Sequence, residues 1–370
     1  MRPTPRTIGA TNCLGNRVSI PIRNIYYLLL YAWGHFKSDR VREIGTEDSP
    51  DLPNLLGKVL NQGTHRLLRR GLGRGYVEVM EDTRFPRGKL RLGDMMKRQT
   101  LLRGVAVCDL DELTPDVLHN QILKASLLAL ANCRSIEKGL RHDLKISAKR
   151  MTGISAIRLS ADLFYRVQLS RNTSQYGFLM RVCELIYNSL LPDEQGNGSK
   201  FLSVLDDETR MSALFEEFIR SFYRLELPGY SAASEIMQWL AEADNAIDLA
   251  YLPIMKTDIT LRSGSRTIVA DAKYYKEILA GGRYDPKVRS EHLYQISTYL
   301  AHVREREPGQ ELSGLLVYPS AGESLRFRYR LLGVPLTVAT LDLTAAWPAI
   351  HAELVELIAP ELSRGSNGCV

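Results

Sequence analysis

The chain has 370 residues, with 48 lysines and arginines against 42 aspartates and glutamates, so its formal net charge is +6. Apolar residues make up 45% and charged residues 24%, which excludes a chain that is disordered over most of its length. A chain of this length is expected to form two domains. Its longest strongly apolar run, residues 25–33, is too short to span a bilayer, and we expect a soluble protein.

The N terminus and the cysteines indicate the compartment. Arg2 and Arg6 precede the apolar run at residues 25–33, as a signal peptide would require. However, four of the nine residues of this run are aromatic and no small-residue cleavage site follows, which argues against a signal peptide. The five cysteines are scattered and form no C-x-x-C pair, so neither a disulfide framework nor a structural zinc site is predicted. We expect a reduced, cytoplasmic protein.

The first hundred residues predict two helices and a strand-rich segment. Residues 1–18 lack periodicity, and we expect a flexible tail there. Apolar spacing predicts a buried helix over 24–36, with Asn24 as its N-cap, and a second helix over 52–70 with a basic last turn. Prolines and glycines interrupt alternating apolar residues over 76–103, which predicts strands and turns.

Positive charge is concentrated in this part of the chain. Residues 61–104 contain eleven basic and four acidic residues, so this segment carries +7 and the remainder carries −1. Such a segment attracts a phosphate backbone or an acidic protein surface. The alternative is a solvated basic surface with no partner, and composition does not distinguish the two.

The second half of the chain predicts alternating helices and strands, which is typical of a three-layer α/β domain. Pro115 occupies the first position of a helix predicted through Leu130. A turn-rich cluster at 192–198 ends another helix. The remaining predicted helices cover 176–191, 210–225, 291–303 and 346–358, and the predicted strands cover 250–261, 267–275, 314–318 and 336–341.

A predicted hairpin brings two aspartates together. A two-residue turn at Gly264 and Ser265 pairs residues whose numbers sum to 529, so Asp258 lies opposite Asp271. Directly opposed side chains have Cβ atoms about 5 Å apart, at which distance two carboxylates can share a divalent cation. Lys273 follows on the same face, where it can orient or help deprotonate an attacking water.

Neighbouring helices add polar residues to this hairpin. Gln295 and Tyr299 lie one turn apart on the downstream helix, and Glu216 lies among aromatic residues on the upstream helix. An acid followed by an acid-x-Lys on a neighbouring strand is what metal-assisted phosphodiester hydrolysis requires. The alternative is an ordinary hairpin with polar residues on its solvent face. His292, also on the downstream helix, is expected to be a surface histidine.

These residues carry a family resemblance. Asp258, Asp271-Ala272-Lys273, Glu216 and Gln295-x-x-x-Tyr299 together resemble the PD-(D/E)xK nuclease superfamily, with Thr257 in place of the motif's proline. More narrowly, the chain is similar to the McrC family, the nuclease subunits of McrBC modification-dependent restriction systems, over about residues 18–360. The matching segments are residues 20–27, 31–34, 60–63, 69–72, 120–124 and 314–319.

The resemblance implies a two-part α/β protein. A C-terminal PD-(D/E)xK nuclease fold, with a mixed central sheet flanked by helices, would occupy 166–370, and an N-terminal mixed α+β motor-docking domain would occupy 19–165. The partners implied are an McrB-like AAA+ GTPase hexamer, which this chain would stimulate, and double-stranded DNA with modified, methylated cytosine. No membrane is implied. The partner would bind GTP, because neither 88–90 nor 196–200 forms a Walker A motif.

The resemblance also implies site residues, with Mg²⁺ as the cofactor and Mn²⁺ as an alternative. The implied catalytic residues are Asp258, Asp271, Lys273, Gln295 and Tyr299. The implied metal ligands are Asp258, Asp271, the backbone carbonyl of Ala272 and Glu216. The residues expected to contact the partner or guide DNA are Arg69, Arg70, Arg84, Arg87, Lys89, Arg91, Lys97 and Arg98. Two alternatives stay open, namely a non-catalytic regulatory subunit and a free-standing nuclease acting on DNA ends.

Overall fold

The computed structural model describes residues 8–11, 17–33, 49–192, 199–201, 207–245, 247–264, 266–274, 288–322 and 324–359. The chain divides into two compact units. The first combines Met1–Leu52 with Ser203–Val370, and the second is Pro53–Leu202. This division differs from the expected boundary between residues 165 and 166, because the helix at Gly177–Ser189 packs against the helix at Leu118–Ala131. The N-terminal helix at Ile22–Ala32 packs instead against the helix at Glu208–Glu226 of the C-terminal part.

The secondary structure of the described residues is as follows. The α-helices are α1 (Ile22–Ala32), α2 (Leu52–Arg70), α3 (Leu92–Arg98), α4 (Leu118–Ala131), α5 (Lys138–Arg150), α6 (Ala161–Arg166), α7 (Gly177–Ser189), α8 (Glu208–Glu226), α9 (Ser290–Arg306) and α10 (Trp347–Ile358). The strands are β1 (Ile8–Thr11), β2 (Arg17–Ile20), β3 (Gly75–Thr83), β4 (Lys89–Leu90), β5 (Ala106–Thr114), β6 (Leu190–Pro192), β7 (Ser199–Phe201), β8 (Ser231–Ala233), β9 (Ile236–Met237), β10 (Met255–Lys256), β11 (Ile259–Ser263), β12 (Arg266–Ala272), β13 (Glu311–Ser320), β14 (Arg326–Leu331) and β15 (Val334–Asp342). Short 3₁₀ helices occupy Thr100–Arg103, Arg171–Tyr176 and Asp248–Tyr251.

A mixed sheet forms the centre of the first unit. In the described residues its strand order is β14-β15-β13-β12-β11-β8. Strands β12, β13 and β15 are parallel. Strand β14 pairs antiparallel with β15, β11 with β12, and β8 with β11. Helices α8, α9 and α10 pack on this sheet. The predicted mixed sheet flanked by helices is therefore confirmed.

Helix α9 lies close to the sheet at a glycine. A Cβ on Gly314 of β13 would come within 2.9 Å of Leu300 Cδ1 on α9 and within 2.8 Å of Leu336 Cδ1 on β15. The absence of a side chain therefore lets the helix approach. This approach buries Ile296, Tyr299 and other residues of α9 against β12 and β13.

The N-terminal helix α1 belongs to the first unit. Asn24 is buried, and its Nδ2 donates to the carbonyl oxygens of Leu343 at 2.8 Å and Ala345 at 2.9 Å. Tyr27 stacks on Trp347, with ring centroids 4.5 Å apart. Asn24 is therefore a tertiary contact, and the expected N-cap role is wrong because α1 already begins at Ile22.

Two described parts of the expected flexible tail, residues 8–11 and 17–18, lie in strands. Strands β1 and β2 pair antiparallel, with Ile8 opposite Ile20 and Thr11 opposite Arg17. The part of the expected tail at 1–7 and 12–16 lies outside the described residues. Backbone hydrogen bonding gives the described part a hairpin structure that side-chain periodicity does not reveal.

The second unit combines helices with a small antiparallel sheet. Helix α2 spans Leu52–Arg70 as predicted, and α4 packs against α5 and α7. The sheet has the strand order β3-β5-β4. The expectation of strands and turns over 76–103 is wrong at α3, a short helix that lacks a clear apolar period. Strand β5 and helix α5 were not predicted; β5 is buried continuously over its first four residues and therefore shows no alternation there.

Residues 120–124, one of the segments that resemble the McrC family, bind the backbone of neighbouring loops. The Asn120 Nδ2 donates to the carbonyls of Gly73 and Pro115, both at 2.8 Å, and the Lys124 Nζ donates to that of Ile154 at 2.7 Å. The segment 120–124 therefore has a structural role. Helix α4 begins at Leu118, after the predicted start at Pro115.

The other predicted elements occur with shifted ends. The helices predicted at 176–191, 210–225, 291–303 and 346–358 are α7, α8, α9 and α10, and the strands predicted at 314–318 and 336–341 are β13 and β15. The segment 250–261 contains the end of a 3₁₀ helix before β10 and β11. Of the predicted turn cluster, 193–198 lies outside the described residues. Within the described ranges no helix is both long and apolar enough to cross a membrane.

We expect Asn24→Ala to lower the free energy of unfolding of the first unit by about 2 kcal/mol, because two carbonyl groups lose their buried donor. Urea denaturation measures this change. Glu305→Ala, on the exposed face of α9, is the control and is expected to change stability by less than about 0.5 kcal/mol. Equal stability of the two variants would contradict the assigned role of Asn24.

Candidate active site

The predicted hairpin register is confirmed. Strands β11 and β12 pair from Ile259 opposite Ala270 to Ser263 opposite Arg266, so every paired number sums to 529. The turn begins at Gly264, which has a φ of +50°, a conformation that favours glycine. Asp258 immediately precedes β11, and Asp271 is the penultimate residue of β12, so the register directs both to the same end of the hairpin.

An ammonium group joins the two aspartates. The Lys273 Nζ lies 3.1 Å from the Asp258 Oδ2 and 3.0 Å from the Asp271 Oδ1. Asp271 is only 1% exposed, whereas the side chains of Asp258 and Lys273 keep 17% and 16% exposure. The structure therefore brings these three predicted residues together at a partly open end of a buried strand.

Burial and mutual repulsion determine the charges of the cluster. Burial raises the pKa of Asp271 well above its usual value, and the neighbouring Asp258 raises it further, while Lys273 opposes both effects. Burial lowers the pKa of Lys273, but the two aspartates outweigh it, so the net pKa is raised. Lys273 therefore stays protonated at neutral pH.

The two aspartates are suitable ligands for a cation. Both carboxylate oxygens of Asp271 are buried without a well-directed hydrogen bond, and its contact with Lys273 is an ion pair. Such a carboxylate is stabilised by a cation beside it. In the described part of the chain, no three His, Cys, Asp or Glu side chains are arranged to hold a metal ion. The carboxylate donors that the structure brings together are therefore Asp258 and Asp271, beside the backbone of buried Ala272.

Glu216 lies near this pair but is bound to Arg220. The Arg220 Nη1 donates to the Glu216 Oε1 at 2.8 Å and to the carbonyl oxygen of Asp258 at 2.9 Å. Burial raises the pKa of Glu216, and Asp258 raises it further, while Arg220 and Lys273 oppose this shift. The metal-binding role of Glu216 stays a prediction. Arg220 was missed, although its spacing of four residues from Glu216 on one helix was a signal.

Tyr299 binds a backbone carbonyl, and Gln295 binds Tyr299. The Gln295 Nε2 donates to the Tyr299 hydroxyl at 3.0 Å, and this hydroxyl donates to the carbonyl oxygen of Lys256 at 2.8 Å. Lys256 ends β10, two residues before Asp258. The structure therefore places these two predicted catalytic residues where they hold the segment leading to Asp258.

His292 lies inside the protein, and the expectation of a surface histidine is wrong. It is 2% exposed, and its Nδ1 lies 2.8 Å from the Tyr318 hydroxyl. Burial lowers the pKa of His292, and the charge of Lys273 lowers it further, so the ring is neutral at neutral pH. His292 lies on α9 seven residues before Tyr299, which places both on the inner face of the helix.

The predicted basic residues of the second unit lie on β4, α3 and the adjoining turns, together with the end of α2. Three are in ion pairs, namely Arg87 with Glu81, Arg91 with Asp94 and Arg98 with Asp82. Arg70 donates to Gln175. The remaining four make no ion pair with another described residue, and these are Arg69, Arg84, Lys89 and Lys97.

Apolar side chains are exposed among these basic residues. Phe85 is 83% exposed, Met96 74% and Leu102 84%, all within the same stretch of the second unit. Exposed apolar side chains mixed with charge are typical of a protein-binding surface. We call residues 84–104, which comprise β4, α3 and the adjoining turns and contain seven basic residues and one acidic residue, the basic sheet surface.

Comparison with known proteins gives one family. The model of the McrBC 5-methylcytosine restriction system component matches residues 20–319. The chain is similar to the type IV methyl-directed restriction enzyme EcoKMcrBC of Escherichia coli (strain K12), with 32% identity over 338 residues, covering 91% of this chain and 97% of the relative.

A solved structure shares the fold. It is the refined half-complex from a tetradecameric assembly of Thermococcus gammatolerans McrB AAA+ hexamers with bound McrC, with a TM-score of 0.55 and 20% identity. The match covers 95% of this chain and 76% of that chain. At this identity the likeness concerns the fold.

We expect Lys273→Met to bind Mn²⁺ more tightly than the unmodified chain, because this substitution removes the ammonium that pairs with both aspartates and repels another cation. Asp271→Asn is expected to weaken binding by at least about tenfold, since it removes one of the two charges. Isothermal titration calorimetry on the full-length chain measures both constants. Weaker Mn²⁺ binding by Lys273→Met would show that the lysine does not compete for the cation position.

Proposed function

The chain belongs to the family of McrBC 5-methylcytosine restriction system components as an McrC-type member, and on this premise we propose that it is the nuclease subunit of such a system. In this proposal it is a metal-dependent endonuclease with a PD-(D/E)xK fold in its first unit. It cleaves double-stranded DNA that contains methylated cytosine, in complex with an McrB-like AAA+ GTPase hexamer that binds the GTP.

The shared ion pair of Lys273 with Asp258 and Asp271 is the observation that supports cleavage. Two carboxylates and a lysine converge at the end of a central strand, where a purely structural role does not require three ionisable groups.

The proposed chemistry uses a bound Mg²⁺, or Mn²⁺, which supplies Lewis-acid polarisation of the phosphodiester and lowers the pKa of a water. Asp258, Asp271 and the Ala272 carbonyl would hold it, with Glu216 as a further predicted ligand. Lys273 orients the attacking water by donating a hydrogen bond.

The basic sheet surface supports a partner-docking role for the second unit. Its cations attract an acidic protein surface at long range, and its exposed apolar groups stabilise the docked complex. The relative of known structure assembles McrC with McrB AAA+ hexamers. We extend this arrangement to the present chain, with stimulation of the partner's GTPase as the consequence of docking.

We expect Asp258→Ala, Asp271→Ala and Lys273→Ala each to abolish DNA cleavage by the complex with the partner GTPase. Complex assembly and GTPase stimulation are expected to persist, because these residues lie outside the second unit. Cleavage of methylated plasmid and GTP hydrolysis are measured in parallel. If all three variants still cut DNA, the site is wrong. If the unmodified chain stimulates GTPase but never cuts, the regulatory alternative holds.

We expect the double substitution Arg84→Glu and Lys97→Glu to weaken partner binding about tenfold at low salt and less at high salt, because it reverses charges on the basic sheet surface. The matched control is Lys145→Glu with Lys149→Glu on the exposed side of α5. Surface plasmon resonance at two salt concentrations measures both. If the two double substitutions weaken binding equally, the effect comes from net charge and the docking role of the basic sheet surface is contradicted.

A further inference from the structure

The backbone that carries Asp258 is not part of the sheet ladder. Strand β11 begins its pairing with β12 at Ile259, and its pairing with β8 at Thr260. Residues 257 and 258 connect β10 to β11. The position of the Asp258 carboxylate therefore depends on contacts other than strand pairing.

Three side chains from three parts of the fold hold this connection. The carbonyl oxygen of Lys256 accepts a hydrogen bond from the Tyr299 hydroxyl at 2.8 Å. That of Thr257 accepts from the Ser234 hydroxyl at 2.6 Å, and that of Asp258 accepts from the Arg220 Nη1 at 2.9 Å. Three successive carbonyls are thus each fixed by a side chain.

We propose that Arg220 is a positioning residue for Asp258, an inference that rests on the proposed nuclease function. Its guanidinium belongs to α8 and is 17% exposed. The same Nη1 that binds the Asp258 carbonyl also binds Glu216, and the Nη2 contacts Glu217. A planar guanidinium supplies several donors in a fixed fork, which lysine does not.

Arg220 also balances charge around the site. Glu216, Glu217, Asp258 and Asp271 are acidic, and the cations that contact them are Lys273 and Arg220. Loss of Arg220 would leave Glu216 beside Asp258 without its ion-pair partner, and repulsion would move one of them. Arg220 therefore fixes both the backbone of Asp258 and the distance to the neighbouring acid.

The test compares Arg220→Lys and Arg220→Gln with Arg224→Lys. Arg224 lies one turn further along α8, is exposed, and donates to Ser221. In the complex with the partner GTPase, single-turnover cleavage is expected to fall at least about 30-fold for Arg220→Lys, with KM for DNA changed by less than about threefold. The Kd for Mn²⁺ of the full-length chain, from calorimetry, is expected to rise about tenfold. Arg224→Lys should change each quantity by less than about twofold.

Combining Arg220→Lys with a second substitution distinguishes an effect through the Asp258 backbone from an effect through Glu216. The Tyr299→Phe variant has already lost the hydrogen bond to the Lys256 carbonyl. In this variant Arg220→Lys is expected to reduce cleavage by a smaller factor, because Tyr299 and Arg220 both hold residues 256–258. In Glu216→Gln, most of the effect is expected to remain. Thermal unfolding shows whether each variant is folded. If Arg220→Gln is unfolded, the test rests on Arg220→Lys.

Distinct results would overturn the inference and the proposed function. Arg220→Lys with unchanged cleavage and Mn²⁺ affinity overturns the positioning role, as does an effect that disappears in Glu216→Gln. An unmodified chain that binds Mn²⁺ but does not cut with its partner overturns the nuclease function. Weakened Mn²⁺ binding by Arg220→Lys would then still support the positioning role.

Discussion

The carboxylates of Asp258 and Asp271 meet at the end of a central strand, and the ammonium of Lys273 stabilises them there. Burial of Asp271 carries a large desolvation penalty, which Asp258 increases and a shared cation offsets. The arrangement requires the register of β11 on β12, a strand long enough to bury Asp271, and a fixed backbone at Asp258. Helices α8 and α9 supply the last requirement through Arg220 and Tyr299.

The packing of helices α8 and α9 places the side chains that fix the Asp258 backbone. Helix α9 approaches the sheet at Gly314, which brings Tyr299 to the Lys256 carbonyl. Helix α8, which carries Arg220, is covered by α1, where the Tyr31 ring contacts Phe218 and Phe222. The N-terminal helix thereby supports the helix that holds the site. Residues 20–27, a segment that resembles the McrC family, therefore belong to the first unit, although they lie far from Asp258 and Asp271 in sequence.

Much of the site was predictable from local sequence. The register of β11 on β12, which directs Asp258 and Asp271 to the same end of the hairpin, follows from a turn at Gly264 and the alternation of residues along a strand, both of which are local properties. Lys273 follows from the same alternation. Arg220 was not predicted, because its contact with the Asp258 carbonyl joins residues 38 positions apart. The burial of His292 was missed for a similar reason, since it depends on Tyr318 of a later strand.

The sequence by itself determined the helices with strong apolar period, the hairpin register and the three charged groups of the site, because these depend on spacing along the chain. Tertiary structure decided which unit α1 belongs to, since only packing against α8 and α10 buries its aromatic face. It also decided which polar groups hold the Asp258 backbone. Hydrogen bonds between distant segments form only when packing brings donor and carbonyl within about 3 Å, and no spacing in the sequence encodes that distance.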